Sequence, residues 1–211
     1  MPMTFPAHQG LILPMARRWP NSFDALALSV GAAMPDITDS ILGFSINGYF
    51  KQWYGHSLIG IFTLDLLGGL FITWLIAFIA WRSFREGAVP QGWEAFFTKA
   101  PPNLVAPGDP TGISGWQARL RLWSFSVLVG VLSHIGFDLI SHDTNLLFYP
   151  WVESPHWLPG WWYTIWFEIR PLPMFGRTYA VGVFSIIWIL LTIIGIFWFI
   201  QFLYPKQEDK V

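Results

Sequence analysis

The sequence predicts an all-α, multi-pass integral membrane helical bundle, on the evidence of its composition and three long apolar runs. Of its 211 residues, 54% are hydrophobic and only 12% are charged, whereas soluble domains average about 25% charged residues. The runs cover residues 57–81, 122–140 and 178–204, and a helix needs about 20 apolar residues to cross a bilayer. We therefore predict three spanning helices in a single membrane domain, residues 1–211.

The other segments are predicted to lie at the membrane surface or partly inside it. SFDALALSVGAAM (22–34) is too short to span unaided and favours a re-entrant or interfacial helix. Residues 82–121 contain many Pro and Gly residues, typical of an extramembrane loop, with QGWEAFFTK as a short helix inside it. Residues 148–177 are rich in Trp and Tyr, which prefer the headgroup zone, so we expect an aromatic connection along the interface.

The basic residues set the predicted orientation. With three crossings, seven Lys and Arg residues fall on the side of the 82–121 loop and the C-terminus, and five fall on the other side. Cytoplasmic loops carry the excess of positive charge in membrane proteins. We therefore expect this loop and the C-terminus to face the cytoplasm.

The charge and cysteine content limit the possible metal sites and binding partners. The sequence has no cysteine, which excludes disulfides and thiolate metal sites. A net charge of −1 without a basic stripe argues against nucleic acid as a partner. The expected partners are the lipid bilayer, a lipid-linked substrate and, through the aromatic surface, another membrane protein.

Ionisable residues lie near the end of the second predicted span. SHIGFDLISHD (133–143) places His134 and Asp138 four residues apart, hence on one helical face, with His142 near that face. Ionisable groups inside a membrane are candidates for function because burying them is costly. An imidazole nitrogen beside a carboxylate suits a hard or borderline divalent metal. Taken alone, this pair is better explained by a His–Asp hydrogen bond that seals a helix interface.

Three further motifs can reach the same membrane boundary. MPDITD (34–39) follows the short apolar stretch, GHSLIG (55–60) directly precedes the first span, and FPAHQG (5–10) lies near the N-terminus. The start of one span and the end of the next lie on the same side when consecutive spans are antiparallel. The ionisable residues that can converge on one pocket at this boundary are His8, Asp36, Asp39, His56, His134, Asp138 and His142.

A general base is also expected near this group. A carboxylate that does not bind the metal could accept a proton, and Asp39 and Asp143 are the candidates. Asp65 lies well inside the first span and His156 lies in the aromatic connection. We place both outside the ligand shell.

The ordered motifs together resemble a bacterial membrane family, domain of unknown function 4184. They are MPMTFPAHQGLILPMARR, GAAMPD, GHSLIG and GVLSHIGFDLISH, and the resemblance covers nearly the whole chain. The same order is similar to the group of membrane-bound metal-dependent hydrolases, which is distantly similar to zinc phospholipase C-like enzymes. The resemblance implies metal ligation by His8, Asp36, His56, His134 and Asp138, and less directly involves His142 and Asp39.

The leading interpretation is therefore a membrane-embedded metal-dependent hydrolase. Its divalent ion is expected to be zinc, with manganese or iron as alternatives, and to activate water and polarise a phosphoryl or acyl oxygen. A site at headgroup depth favours a lipid or lipid-linked phosphoester. The alternative is a non-enzymatic subunit of a membrane complex, with a buried His/Asp network that joins helices. A histidine that ligates haem or a pigment is a weaker variant, because the sequence has no CxxCH motif.

Overall fold

The computed structural model is mostly helical, in agreement with the predicted class. The residues that it describes are 5–45, 54–85, 96, 112–141, 147–148, 158–169 and 179–204. Every structural statement below concerns these parts of the chain.

The N-terminal part of the chain forms three helices. Helix α1 spans Ala7–Arg18, α2 spans Ala25–Gly31 and α3 spans Met34–Ser45. The Asp24 carboxylate caps α2 by accepting the backbone N–H of Ala27 at 2.8 Å, which satisfies one free donor of the first turn. Helices α2 and α3 meet at a bend of 43° and have the length and composition of a broken span or a re-entrant loop. The re-entrant or interfacial position predicted for residues 22–34 stays a prediction.

Three helices are long and apolar enough to cross a membrane, which confirms the predicted number of clear spans. The first starts as a short helix α4, Leu58–Gly60, continues as a π-helical segment, Ile61–Asp65, and ends as α5, Leu66–Arg85. The second is α6, Gly112–Ser141, and the third is α7, Val183–Leu203.

The helix ends differ from the predicted ones. Helices α5 and α6 both extend into the predicted loop 82–121, because a helix satisfies its own backbone hydrogen bonds and can continue beyond the bilayer. The last span begins at Val183 and not at 178. Strand β2, Tyr179–Val181, occupies the start of the predicted third span and pairs antiparallel with β1, Phe167–Ile169, which lies inside the predicted aromatic connection. The predicted short helix QGWEAFFTK lies outside the described residues, except for Phe96.

Two close helix crossings position the N-terminal helices against the spans. A Cβ on Gly195 of α7 would lie 2.1 Å from the carbonyl oxygen of Ala7, and a Cβ on Gly31 of α2 would lie 2.2 Å from that of Val127. Only glycine permits such approaches, which are typical of helix packing in membranes. As a result, the start of α1 and the end of α2 lie beside the C-terminal half of α6.

A buried apolar cluster fills the space between α2, α6 and the first span. Its members include Val30, Ile61, Trp123, Val127 and Val131. Two polar side chains are also buried along α6, at Ser126 and at His134, about two helical turns apart. The two polar regions therefore belong to different levels of the bundle.

Candidate metal centre

Four side chains from three segments meet near the end of α6. They are His134 and Asp138 of α6, Asp36 of α3, and His56 in the turn before α4. The two Nε2 atoms are 3.2 Å apart. His56 Nε2 lies 3.1 Å from Asp138 Oδ2 and 3.6 Å from Asp36 Oδ1. His134 Nε2 lies 3.3 Å and 3.9 Å from the same two oxygens. The predicted convergence of these motifs is confirmed.

The other ring nitrogen of each histidine already has a partner. His134 Nδ1 lies 2.8 Å from the carbonyl oxygen of Ala32, and His56 Nδ1 lies 2.7 Å from Asp39 Oδ2. Both partners are acceptors, so each Nδ1 carries a proton and donates. In the neutral imidazoles the two Nε2 atoms are therefore bare acceptors that face each other.

Four acceptor atoms thus converge, namely two imidazole nitrogens and two carboxylate oxygens. Acceptors held this close repel one another unless a cation lies between them. The five separations that involve a histidine nitrogen are 3.1–3.9 Å, close to the distance of about 3.4 Å between ligands that lie about 2.0–2.1 Å from zinc. The donor set and its spacing fit a divalent metal ion.

A proton can satisfy the same acceptors. Burial lowers the pKa of His56, but its contacts with Asp138 and Asp39 outweigh this effect and raise the pKa to about 10. The resulting imidazolium donates from Nε2 to Asp138 Oδ2 at 3.1 Å. A metal ion and a proton therefore compete for His56 Nε2.

The centre is buried but open on one side. The side chains of His134 and Asp39 are only 1% and 2% exposed, whereas those of His56, Asp36 and Asp138 are 14%, 16% and 19% exposed. Structural zinc sites are closed by protein ligands, whereas catalytic sites keep a position for water or substrate. The exposed edges of Asp36, His56 and Asp138 give this centre such an access side.

His8 lies at the edge of the centre. Its ring stacks on that of His134, with centroids 4.2 Å apart. Its Nε2 lies 3.6 Å from Asp138 Oδ1, the second oxygen of that carboxylate. His8, His134 and Asp138 also form a group whose ligand atoms lie within 4.8 Å of one another. The structure thus brings His8 to the site through both of these residues.

Both oxygens of Asp39 make close contacts. Oδ2 accepts from His56 Nδ1 at 2.7 Å, and Oδ1 accepts the backbone N–H of Gly55 at 2.7 Å. Carboxylates that bind the second nitrogen of a metal-ligating histidine fix its tautomer and orientation. These contacts favour an orienting role for Asp39, while the general-base role predicted from the sequence stays a prediction.

The remaining candidates lie elsewhere. His142, Asp143 and His156 lie outside the described residues, so the ligand role of His142 and the base role of Asp143 stay predictions. Asp65 is wholly buried and accepts a hydrogen bond from Thr38 at 2.5 Å. The sequence indicated this contact only by placing an aspartate within an apolar run, and it did not identify Thr38 as the partner.

Sequence reasoning missed two backbone groups that shape the centre. They are the Ala32 carbonyl, which fixes His134, and the Gly55 amide, which holds Asp39. Neither group leaves a side-chain signal in the sequence. Gly55 also fits a close approach, because a Cβ there would lie 2.3 Å from the Pro35 carbonyl oxygen.

Comparison with known proteins agrees with the resemblance carried by the motifs. No curated protein and no solved structure matches the chain. The family model described as Domain of unknown function (DUF4184) matches residues 1–210. This match extends over nearly the whole length of the chain and carries no reaction with it. The chain belongs to the family Domain of unknown function (DUF4184).

Proposed function

We propose that the protein is a membrane-embedded metal-dependent hydrolase that acts on an ester or phosphoester of a membrane lipid or lipid-linked molecule. The observation that carries the proposal is that two histidine nitrogens lie 3.2 Å apart and that each lies 3.1–3.9 Å from a carboxylate oxygen of Asp36 and of Asp138. A buried arrangement of this kind needs a cation, and a divalent ion fits its spacing.

The proposed ligands are Asp36, His56, His134 and Asp138. Two imidazoles and two carboxylates suit zinc, and they also suit manganese or iron. The tetrahedral spacing favours zinc among these ions. His8 supplies a further nitrogen beside Asp138, at 3.6 Å from its Oδ1.

Two groups of the protein hold the histidine rings in the tautomer and orientation that a metal ion requires. Asp39 holds His56 with Nε2 directed into the centre, and the Ala32 carbonyl does the same for His134. When bound, a divalent ion supplies Lewis acidity, which polarises an ester or phosphoryl oxygen and acidifies water. The exposed edges of Asp36 and Asp138 line the side from which a substrate would approach.

The location of the centre supports a lipid substrate. His56 lies two residues before the span Leu58–Ala80, and Asp138 lies three residues before the end of the span Gln117–Ser141. Beside this end of α6, the Trp162 indole N–H donates to the Ile140 carbonyl oxygen at 2.9 Å. Tryptophan favours the headgroup zone. A centre at that depth meets lipid headgroups. We place the protein in a bacterial inner membrane because its motifs resemble a bacterial membrane family, while the excess of basic residues on one side supports its orientation.

A non-enzymatic role is the second candidate. The contacts that raise the pKa of His56 to about 10 also describe a network closed by a proton. In that case the His/Asp group joins α3, α4 and α6 without a metal, and the aromatic surface packs against a partner protein.

Turnover by the metal-loaded protein tests the hydrolase proposal. Detergent-solubilised protein reconstituted with zinc is mixed with phospholipid micelles or with soluble p-nitrophenyl phosphate, and product release is measured. We expect lipid hydrolysis, with a loss in Asp138→Asn that exceeds the 10–100-fold typical of an outer-shell change. Asp24→Asn, in a different polar cluster, is the control. Zinc binding without turnover of either substrate would contradict the hydrolase proposal and leave a structural metal.

A further inference from the structure

We propose that Thr38 and Asp65 form a positioning pair that fixes the rotation of α3, and with it the placement of Asp36 and Asp39. This inference rests on the proposed metal centre and adds residues that neither the ligand set nor its histidine partners include. In the described parts of the chain, the side chains of Thr38 and Asp65 are hydrogen bonded to each other and not to a proposed metal ligand. They act through α3, the helix that carries Asp36 and Asp39.

The pair is buried and close. The Thr38 hydroxyl donates to Asp65 Oδ1 at 2.5 Å, and the two residues are 4% and 0% exposed. A carboxylate inside a membrane span is costly and usually marks a functional contact. The other oxygen, Oδ2, has no hydrogen-bond partner in the described parts of the chain. The hydroxyl of Thr38 is therefore the contact that holds this carboxylate.

Thr38 lies on the opposite side of α3 from Asp36. Successive residues of an α-helix are about 100° apart, so two positions separate these side chains by roughly 200°. Asp36 Oδ1 faces the histidines at 3.6–3.9 Å, while Thr38 faces Asp65. A hydrogen bond on the far side of a helix fixes its rotation, because turning the helix would break that bond. Asp36 and Asp39 would move together in such a rotation.

The direction of Asp65 depends on the π-helical segment. Asp65 is the last residue of Ile61–Asp65, and such segments insert a residue into a helix and often occur at functional sites. One inserted residue turns the following side chains by about 100° relative to the preceding ones. The Thr63 hydroxyl in this segment is also hydrogen bonded to the Tyr54 hydroxyl at 3.1 Å.

This arrangement ties two parts of the centre together. His56 lies between Tyr54 and the π-helical segment in sequence, and Asp65 of that segment holds α3. The same short stretch therefore sets the position of His56 and the rotation of the helix that carries Asp36. Loss of the pair should alter the ligand geometry without removing a ligand.

Cobalt binding to the purified full-length protein tests this inference, because the visible spectrum of bound Co²⁺ reports its coordination geometry. We expect Thr38→Val to shift the spectrum and to weaken Co²⁺ affinity by about tenfold. Thr38→Ser restores the hydroxyl and should match the wild type. Asp65→Asn keeps an acceptor and should keep the wild-type spectrum, whereas Asp65→Leu should behave like Thr38→Val.

The control is Thr73→Val, the same change at a wholly buried threonine two turns further along the first span. It should leave both the spectrum and the affinity unchanged. Asp65→Leu replaces a buried carboxylate with an apolar side chain, a change that proteins often tolerate. This variant therefore tests the proposal if Thr38→Val does not fold. A wild-type spectrum and affinity in Asp65→Leu, or an equal shift in Thr73→Val, would overturn the positioning role while the metal centre stands. Wild-type protein that binds no cobalt would overturn both proposals.

Discussion

Two polar clusters in the described parts of the bundle differ in their balance of donors and acceptors. At the start of α2, the Asp24 carboxylate accepts the Ala27 N–H at 2.8 Å, and the Asp24 N–H donates to Ser126 Oγ at 2.9 Å. The Trp123 indole and the positive charge of Arg119 further stabilise this carboxylate. The protein thus supplies the donors and the positive charge that this cluster needs.

The centre at the other end of α6 has the opposite balance. Its two Nε2 atoms and two carboxylate oxygens are all acceptors once each Nδ1 has donated to Asp39 or Ala32. Buried polar groups need partners, so this centre needs a cation that the first cluster does not. Matched donors indicate a structural cluster, and an excess of acceptors indicates a binding site. The following predictions test this difference, in order of decreasing effect on metal affinity.

The largest effect is expected when the orientation of His56 is disturbed. Asp39→Asn presents an amide to His56 Nδ1 and removes the charge that favours donation from that atom. We expect metal affinity to fall by about 10–100-fold, as for other outer-shell changes, while the protein stays folded. Competition titration with a chelator of known affinity measures this change. An affinity within twofold of the wild type would show that Asp39 does not orient the ligand.

A smaller effect on metal affinity is expected for each unit by which the pH is lowered. Metal binding must displace the proton that His56 holds below its pKa of about 10, so affinity should fall by about tenfold for each pH unit lowered from 9 to 7. Isothermal titration calorimetry in buffers of different ionisation enthalpy gives the proton release. A pH-independent affinity with no proton release would contradict the competition.

The metal-free protein should show the opposite trend in stability. The folded pKa of His56 lies above its ordinary value of 6.5, so the folded state binds this proton more tightly than the unfolded state does. The stabilisation is fully present below about pH 6.5 and is lost as the pH rises towards 10. Thermal unfolding of metal-free protein across this range should therefore show a falling midpoint, which loading with metal reverses.

The smallest effect on metal affinity is expected in the balanced cluster. Asp24→Ala removes the cap of α2 and leaves Arg119 without this carboxylate, which should lower the free energy of unfolding by roughly 1–3 kcal/mol. Metal affinity should stay within twofold of the wild type. Denaturant unfolding and metal titration of the same sample separate the two properties. A fall in metal affinity together with the fall in stability would show that the two clusters are coupled, which would contradict their separate roles.

The position of the centre could be predicted from the sequence because it depends on simple topology. His56 precedes one span and Asp138 ends the next, so antiparallel crossing brings them together. Helix α1 was not predicted, since it contains Gly10 and Pro14 and depends on packing against Gly195 of a distant helix. Local preference for helix is weak there, and the tertiary contact outweighs it.

The finer features of the centre depend on groups that leave no periodic pattern. The direction of Asp65 depends on a π-helical segment, which a repeat of 3.6 residues does not reveal. The tautomer of His134 depends on the backbone carbonyl of Ala32, 102 positions away in the sequence. The sequence therefore could not predict the excess of acceptors, because this excess depends on the partners of both nitrogens of each imidazole.

Metal content measured by elemental analysis tests the central claim most directly. Full-length protein and His134→Ala are purified in detergent, loaded with zinc and dialysed against the same buffer. We expect about one zinc ion per chain in the wild type, bound at the His/Asp centre, and less than about a tenth of that in His134→Ala. A wild type without stoichiometric metal, or a metal content that His134→Ala leaves unchanged, would contradict the account.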